Sequence, residues 1–284
     1  MSFTTFQILN GLTFAALLFL VASGFTLIFG LMRIVNLAHG AMYLMGGYVA
    51  YAVAVESGSF LLGLAAAAAA IALLGLVEQS LLRFARGVEL RQVLMTLGLA
   101  LMIDDASLVI FGGDTFTVPI PQILKGPLEF FGLTSPRYRL FVLFVGILVL
   151  ALLWLLMNRT RLGALIRAGV DDPETVEAMG VNIRKVFVAT FMLGMALAGV
   201  AGALGGAFLS LYPSADSEIL VYSLAVVIIG GRGSLGGAAV GSLAVAMLST
   251  FGQVWFPELS YFVIFGPMAL LLAFRPTGLF GRPT

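Results

Sequence analysis

Residues 6–31 read FQILNGLTFAALLFLVASGFTLIFGL, an almost unbroken apolar run. A helix needs about 20 mostly apolar residues to cross the hydrocarbon core of a bilayer. Further runs of this kind are Val35–Val55, Phe60–Leu82, Val93–Phe111, Leu140–Met157, Val186–Leu209, Gly237–Phe251 and Tyr261–Phe274. Ile219–Gly230 is apolar but only about half as long as a usual span, so it could cross at a slant or enter and turn back. The pattern predicts an all-α, polytopic transmembrane helical bundle of about 8–9 spans.

Composition supports a single membrane domain over residues 1–284. The chain is 61% hydrophobic and 10% charged, with a mean hydropathy of +1.09, which is too apolar for a soluble domain. The net charge of +1 is sparse and lies between the runs, so nucleic acid is not an expected partner. The absence of cysteine excludes disulfides, thiolate metal sites and cysteine nucleophiles. No basic residue precedes the first run, so we interpret it as a mature span and not a signal peptide.

Basic residues alternate between the links, and their distribution predicts the orientation. With the N-terminus outside and the C-terminus in the cytoplasm, the cytoplasmic links hold Arg33, Arg83, Arg86, Arg91, Arg159, Arg161, Arg167, Arg184, Lys185, Arg232, Arg275 and Arg282. Only Lys125, Arg137 and Arg139 then lie outside, as the positive-inside rule favours. The outer segment Gly112–Arg139 holds four of the ten prolines and is predicted to be a stiff extended loop.

One polar segment, residues 158–185, separates two apolar runs and reads NRTRLGALIRAGVDDPETVEAMGVNIRK. Asp172 suits a helix N-cap, and Pro173 suits the first helical position. Glu174 and Glu177 suit the positive end of a short helix, and Gly180 is a natural stop. These signals predict a helix of roughly two turns on the cytoplasmic surface that serves as a docking element. The alternative is a solvated loop.

Two clusters join polar or glycine-rich backbone to a long helix. The first is residues 36–40, NLAHG, at the start of the second span, and the other is residues 230–237, GGRGSLGG. Interrupted helices at corresponding positions in two halves indicate a transport path, because free backbone groups there can meet substrate or water. Beyond a few small residues the two halves differ, so the internal repeat is weak. The candidate pathway residues are Asn36, His39, Gly40, Asp104, Ser234 and Gly236.

Alternatives remain open for these pathway candidates. Asn36 and His39 share a helix face, and they could equally be a polar pair satisfied by backbone. Asp104 and Asp105 lie near the middle of the fourth span, where an ionisable side chain is costly unless it is paired, protonated or hydrated. At most one of the two faces a central path, and a protonated aspartate bonded between helices is the competing interpretation. His39 is the single histidine, with no neighbouring ligands that would form a metal site.

Motifs of enzymes are missing. The chain has two lysines, Lys125 and Lys185, and neither ends a Walker A loop, so this chain has no Walker motif with which to bind ATP. There is no G-x-S-x-G nucleophile elbow and no H-E-x-x-H zinc motif. The sequence therefore predicts a protein that is not an enzyme.

Four passages resemble the membrane permeases of bacterial branched-chain amino acid ABC importers, within the wider group that includes ribose-type permeases. They are GFTLIFGLMRIVNLAHGAMYLMGGYVAY (24–51), LGLALMIDDASLVIFGG (97–113), RTRLGALIRAGVDDPETVEAMGVNIRKVF (159–187) and AVVIIGGRGSLGGAAVGSLAVA (225–246). The likeness runs over nearly the full length.

The resemblance implies a multi-pass location in the bacterial inner membrane and several partners. These are a second permease, related or identical, two cytoplasmic ATPase subunits and a periplasmic solute-binding protein, with the lipid bilayer around the permeases. The chain itself would bind no cofactor, since ATP and Mg would be held by the ATPase subunits. The coupling helix inserted into the ATPase would comprise Asp172, Pro173, Glu174, Thr175, Val176, Glu177, Ala178, Met179 and Gly180. We expect Val176, Met179 and the two glutamates to point outward.

The expected function is therefore the permease of an ATP-driven importer for branched-chain or related amino acids. Urea, amides and aromatic acids are other substrates that the resemblance allows. The alternative is a secondary transporter driven by protons through Asp104 or Asp105, which would have no reason to keep a capped cytoplasmic helix. A structural or channel-like membrane protein would not need two interrupted helix starts.

Overall fold

A computed structural model describes residues 3–32, 35–85, 87–130, 133–231, 233–275 and 277–281. Arg33, Arg86, Arg232 and Arg282, four of the basic residues assigned to the cytoplasmic links, lie outside the described residues. The helices are α1 (Phe3–Met32), α2 (His39–Ser57), α3 (Phe60–Leu82), α4 (Glu89–Phe111), α5 (Arg137–Arg159), α6 (Arg161–Asp171), α7 (Pro173–Ala178), α8 (Ile183–Phe208), α9 (Ala215–Gly230), α10 (Leu235–Trp255) and α11 (Ser260–Phe274). Two short strands, β1 (Pro127–Phe130) and β2 (Leu133–Pro136), complete the fold.

Each predicted apolar run contains a helix. Within the described chain, six helices are long and apolar enough to cross a membrane, namely α1, α3, α4, α5, α8 and α10. The prediction of a polytopic helical membrane protein is thereby confirmed. The remaining apolar helices α2, α9 and α11 have 19, 16 and 15 residues.

The bundle has a buried centre and an exposed periphery. In α1, 83% of the most apolar stretch is buried, against 11% in α4. Glycines of α8 permit this close packing, since a Cβ at Gly194 would meet Gly24 of α1 and one at Gly199 would meet Ala67 of α3. Gly202, Gly205 and Gly206 are similarly crowded. Small residues at these positions let the helix backbones approach closely, as is common in membrane bundles.

Helices α2 and α9 begin inside the bundle and not at its surface. His39, the first residue of α2, bonds the carbonyl of Val21 in the middle of α1. A Cβ on Gly24 would also contact the His39 ring, and Gly24 lies about 12 Å before the end of α1 by the rise of an α-helix. Helix α9 starts beside α2, because the Asp216 carbonyl packs against Gly40.

The short apolar run Ile219–Gly230 belongs to one continuous helix, α9, of 16 residues. At the rise of an α-helix this is about 24 Å, less than the roughly 30 Å hydrocarbon core. Its last carbonyls, from Ile229 and Gly230, accept backbone N–H bonds from Leu279 and Phe280 of the chain's end. The C-terminal residues therefore cap α9, a contact that the sequence did not suggest.

The segment Gly112–Arg139, which we predicted to be a stiff extended loop, contains the two short strands of this otherwise helical chain. Strands β1 and β2 form an antiparallel hairpin there, with Pro127 opposite Pro136. The prolines sit at the end of this ladder, where a missing N–H costs little. The segment is also attached to the bundle, because Phe116 and Leu211 exchange backbone hydrogen bonds of 2.8 and 2.7 Å.

Candidate functional site

The polar segment 158–185 folds into two helices, of which the sequence predicted only the second. Helix α6 is amphipathic, and Ile166 on its inner face is 3% exposed. Thr160 caps it, since the hydroxyl oxygen accepts the Gly163 N–H at 3.1 Å. The apolar residues at positions 162, 165, 166 and 170 recur at helical spacing. That periodicity was the available signal for α6.

Helix α7 has the predicted caps. The Asp172 carboxylate accepts the Thr175 N–H at 3.0 Å and the Thr175 hydroxyl at 2.5 Å. These hydrogen bonds lower the pKa of the Asp172 carboxyl, which is therefore charged at neutral pH. Pro173 occupies the first turn, and Gly180 ends the helix with a φ of +83°, a conformation that favours glycine.

The outward face of α7 differs from the prediction at Val176. This side chain is only 5% exposed and packs with Ile166, Ile183 and Val186. A helix this short needs an apolar anchor, and the cluster between α6 and α8 supplies one. Met179 is 77% exposed as predicted.

The other residues assigned to coupling, Asp172, Pro173, Glu174, Thr175, Glu177, Ala178 and Gly180, are also exposed. An open groove beside α7 is lined by Glu177, Gly180, Val181, Asn182 and Arg184. The exposed surface therefore combines one apolar side chain with a charged rim, next to a groove.

The start of α2, residues 36–40, forms a buried elbow that is held by hydrogen bonds of its own side chains. Asn36 is 1% exposed, and its Oδ1 accepts the Ala38 N–H at 2.9 Å. The fully buried His39 donates from Nε2 to the Val21 carbonyl at 3.0 Å, with Phe25 edge-on at 5.4 Å. Thr96 of α4 joins the elbow by accepting the Leu37 N–H at 3.2 Å.

Glu78 of α3 lies at this elbow and was missed by the sequence analysis. It is 1% exposed, and the Asn36 side chain interacts with its carboxylate. The approach does not reach hydrogen-bond geometry, so both Glu78 oxygens and Asn36 Nδ2 have no partner among the described residues. A signal was present, because Glu78 is an acid inside the apolar run Phe60–Leu82, and the reasoning applied to Asp104 applies to it equally.

Asp104 and Asp105 differ in burial. Asp104 is half-buried and interacts electrostatically with Tyr48 of α2 and Asp216 of α9, whereas Asp105 is exposed on the outer face of α4. Asp216 is 8% exposed, and its Oδ1 has no hydrogen-bond partner in the described structure. The sequence does not single out Asp216, because this residue precedes the apolar run and resembles a surface flank.

The start of α10 is built differently. The Ser234 hydroxyl oxygen accepts the Gly237 N–H at 3.0 Å and caps the helix. Gly236 is exposed, and a Cβ there would meet nothing within 4 Å. The preceding glycines pack on backbone, with Gly233 against Gly30 of α1. The structure thus groups Asn36, His39 and Gly40 with Asp104 around α2, and leaves Ser234 and Gly236 apart from them.

Among the described residues, no group of three or more His, Asp or Glu side chains could hold a metal ion. The polar side chains around α2 include the carboxylates of Glu78, Asp104 and Asp216, the Asn36 amide and the His39 imidazole. Such an arrangement can bind or guide a polar solute.

Comparisons with known proteins identify the family. The family model described as the branched-chain amino acid transport system permease component matches residues 7–272. The chain belongs to this permease family. The permease is 30% identical to the high-affinity branched-chain amino acid transport system permease protein BraD of Pseudomonas aeruginosa, over 98% of this chain and 95% of the relative.

Two further relatives match the chain to different extents. The permease is 26% identical to the LivH permease protein of the Escherichia coli K12 high-affinity branched-chain amino acid transport system, over 98% of this chain and 95% of the relative. A fructose import permease protein of Rhizobium meliloti is 35% identical, but over only 37% of this chain and 31% of the relative. No solved structure matched the chain. The family resemblance seen in the sequence is therefore confirmed over nearly the whole chain.

Proposed function

We propose that this permease carries branched-chain or related amino acids across the bacterial inner membrane as part of an ATP-driven importer. The observation that carries the proposal is the near-full-length match to two permeases of branched-chain amino acid transport systems. The fructose permease matches only part of the chain, so it says less about the substrate than the two near-full-length relatives do. These relatives are permease proteins of larger transport systems, so they support the importer and give no support to the proton-coupled secondary transporter.

The partners follow from this proposal. A LivH-type and a LivM-type permease of Methanocaldococcus jannaschii both match this chain, which supports a core of two related permeases. Two cytoplasmic ATPase subunits would hold ATP and Mg, and a periplasmic binding protein would deliver the solute. In this scheme the permease itself binds no cofactor.

The proposed orientation has the N-terminus outside and the C-terminus in the cytoplasm. Arg139 contacts Phe6 and Phe208, so the start of α1, the start of α5 and the end of α8 lie at one end of the bundle. That end is the outer one in our proposal. With α2, α9 and α11 counted, nine helices would then cross, and α9 would complete its passage with the linker 209–214.

Helix α7 is the proposed coupling helix. Its exposed Met179, Glu174 and Glu177 would contact the ATPase, while Val176 anchors it to α6 and α8. Helix α6 also packs against α1 and α5. If the closing ATPase pair displaces α7, α6 would pass this motion to α1 and α5 in the bundle, because packed interfaces move as units.

The test is ATPase retention on a tagged permease. We expect Met179→Asp to place an unpaired charge in the contact and to reduce ATPase co-purification and uptake at least tenfold, a loss of roughly 1.4 kcal/mol or more. Glu177→Arg should weaken retention less, because a charge at the rim is partly solvated. Neither change touches the Val176 cluster, so membrane levels should stay normal.

Two controls sharpen this test. Lys125→Glu reverses an exposed charge on the outer segment and should leave ATPase retention unchanged. Val176→Asp should lower the amount of folded permease, because it buries a charge in the apolar anchor. Wild-type retention and uptake in both Met179→Asp and Glu177→Arg would show that α7 is only a solvated link.

A further inference from the structure

Two carboxylates from different helices lie beside α2. On α4, Gln92, Thr96, Ala100 and Ser107 are buried, and Asp104 falls on this face because it follows Ala100 by four residues. Asp216 belongs to the first turn of α9, whose carbonyl packs on Gly40 of α2. The two carboxyl groups interact electrostatically with each other and with Tyr48. Asp104 and Asp216 thus form one polar cluster inside the bundle.

The Asp216 side chain is held in place but not satisfied. Its residue is 8% exposed and its Oδ1 has no hydrogen-bond partner in the described chain. The groups acting on its carboxyl are Asp104 and the backbone N–H groups of residues 216 and 217, with no described cationic side chain among them. A buried carboxylate oxygen without a donor is costly, so this position is suited to a donor that arrives from outside the chain.

The surroundings define the chemistry of that donor. Two carboxylates attract a cation, and a primary ammonium group has three N–H donors that can be shared between two acceptors. Asp104 is only half-buried, so part of its side chain remains accessible at the surface of α4. Phe111 stacks on Tyr48 at 4.4 Å and forms an apolar wall beside it.

We propose that Asp104 and Asp216 bind the ammonium group of the transported solute inside the bundle. The proposal rests on the proposed function and names the part of the amino acid that the permeation path recognises. The apolar surface next to Tyr48 would accommodate the aliphatic side chain. Recognition of the ammonium alone would suit a path that serves several amino acids delivered by the binding protein.

The first test measures binding by protection from a carboxyl reagent. The purified full complex is treated with a hydrophobic diazo reagent, which esterifies carboxyl groups and does not couple them to amines, and esterification of each aspartate is quantified by mass spectrometry. Methylammonium chloride is the ligand, and tetramethylammonium chloride, which has no N–H donor, is its control. We expect methylammonium to slow modification at Asp104 and Asp216 several-fold and to leave the exposed neighbour Asp105 unchanged. Equal rates with and without methylammonium at Asp104 and Asp216 would overturn the proposal.

The second test measures transport by single variants in proteoliposomes. Asp216→Asn and Asp104→Asn should raise the apparent KM for L-leucine about tenfold or more, as expected for the loss of a charge-assisted bond. Asp105→Asn is the matched control and should behave as the wild type. An unchanged KM in both Asp104→Asn and Asp216→Asn would overturn the proposal.

The two tests separate this proposal from the proposed function. Protection by methylammonium in a complex that does not transport L-leucine would support the ammonium site and contradict the proposed substrate. Transport of L-leucine without protection at Asp104 and Asp216 would support the proposed function and contradict the ammonium site.

Discussion

The starts of α2 and α10 look alike in the sequence and are built in different ways. At α2, the side chains of Asn36 and His39 bond backbone of the elbow and of α1, and every one of these groups is buried. At α10, a serine cap and backbone contacts between glycines suffice, and Gly236 is exposed. Among the residues that the structure describes, buried carboxylates lie near the first start and not near the second.

The two helix starts therefore depend on their individual residues to different degrees. A start held by long-range side-chain contacts is sensitive to each of its residues, and its geometry sets where α9 and Asp216 lie. A start held by a local cap and by backbone contacts between glycines depends less on any one side chain, because the cap contributes a single hydrogen bond. Substitutions should therefore have large effects at the start of α2 and small effects at the start of α10.

The largest effect is expected at Gly40. In Gly40→Ala the new Cβ would overlap the Asp216 carbonyl oxygen and press on Leu220, and backbone cannot yield as a flexible side chain can. Overpacking of this kind costs about 1–3 kcal/mol, sometimes more. We expect a clear fall in the thermal unfolding midpoint of the purified permease and a loss of uptake, because α9 must shift.

Gly236→Ala is the matched control at the other start. A Cβ at Gly236 meets nothing within 4 Å, and alanine is favoured over glycine within a helix by about 1 kcal/mol. The midpoint should stay level or rise slightly. Equal changes in the unfolding midpoint for Gly40→Ala and Gly236→Ala would show that the two helix starts do not differ in this way.

An intermediate effect is expected at His39. His39→Leu keeps an apolar contact with Phe25 but removes the bond to the Val21 carbonyl, a net loss of about 0.5–1.5 kcal/mol. His39→Gln retains a hydrogen-bond donor, so it should recover part of this lost stability. Unfolding midpoints of the two variants against the wild type measure this bond, and identical midpoints for Leu and Gln would show that ring packing alone matters.

The parts of the molecule that local patterns determine were predictable from the sequence. Apolar runs predicted the helices, and the residues Asp172, Pro173 and Gly180 predicted both ends of α7, because a cap depends on atoms within a few residues. The direction of Val176 was not predictable in this way. It depends on the cluster formed by α6 and α8, and α6 was overlooked.

The polar cluster around α2 was only partly predictable. Asp104 stands out because an acid in a span is unusual, and the same argument should have identified Glu78. Asp216 could not be recognised, since its burial arises from the start of α9 inside the bundle. That placement depends on the close approach of Gly40, a tertiary contact with no counterpart in local sequence.

The smallest effect is expected at Ser234. Ser234→Ala removes the oxygen that accepts the Gly237 N–H, and loss of such a cap costs about 1 kcal/mol. Ser234→Asp keeps an acceptor at the helix start, where a negative charge is also favourable, and should restore the unfolding midpoint. Uptake should remain near normal in both, because no carboxylate of the α2 cluster depends on this cap. A loss of uptake in Ser234→Ala with an unchanged midpoint would instead place Ser234 on the solute path, and the two helix starts would then share one function despite their different construction.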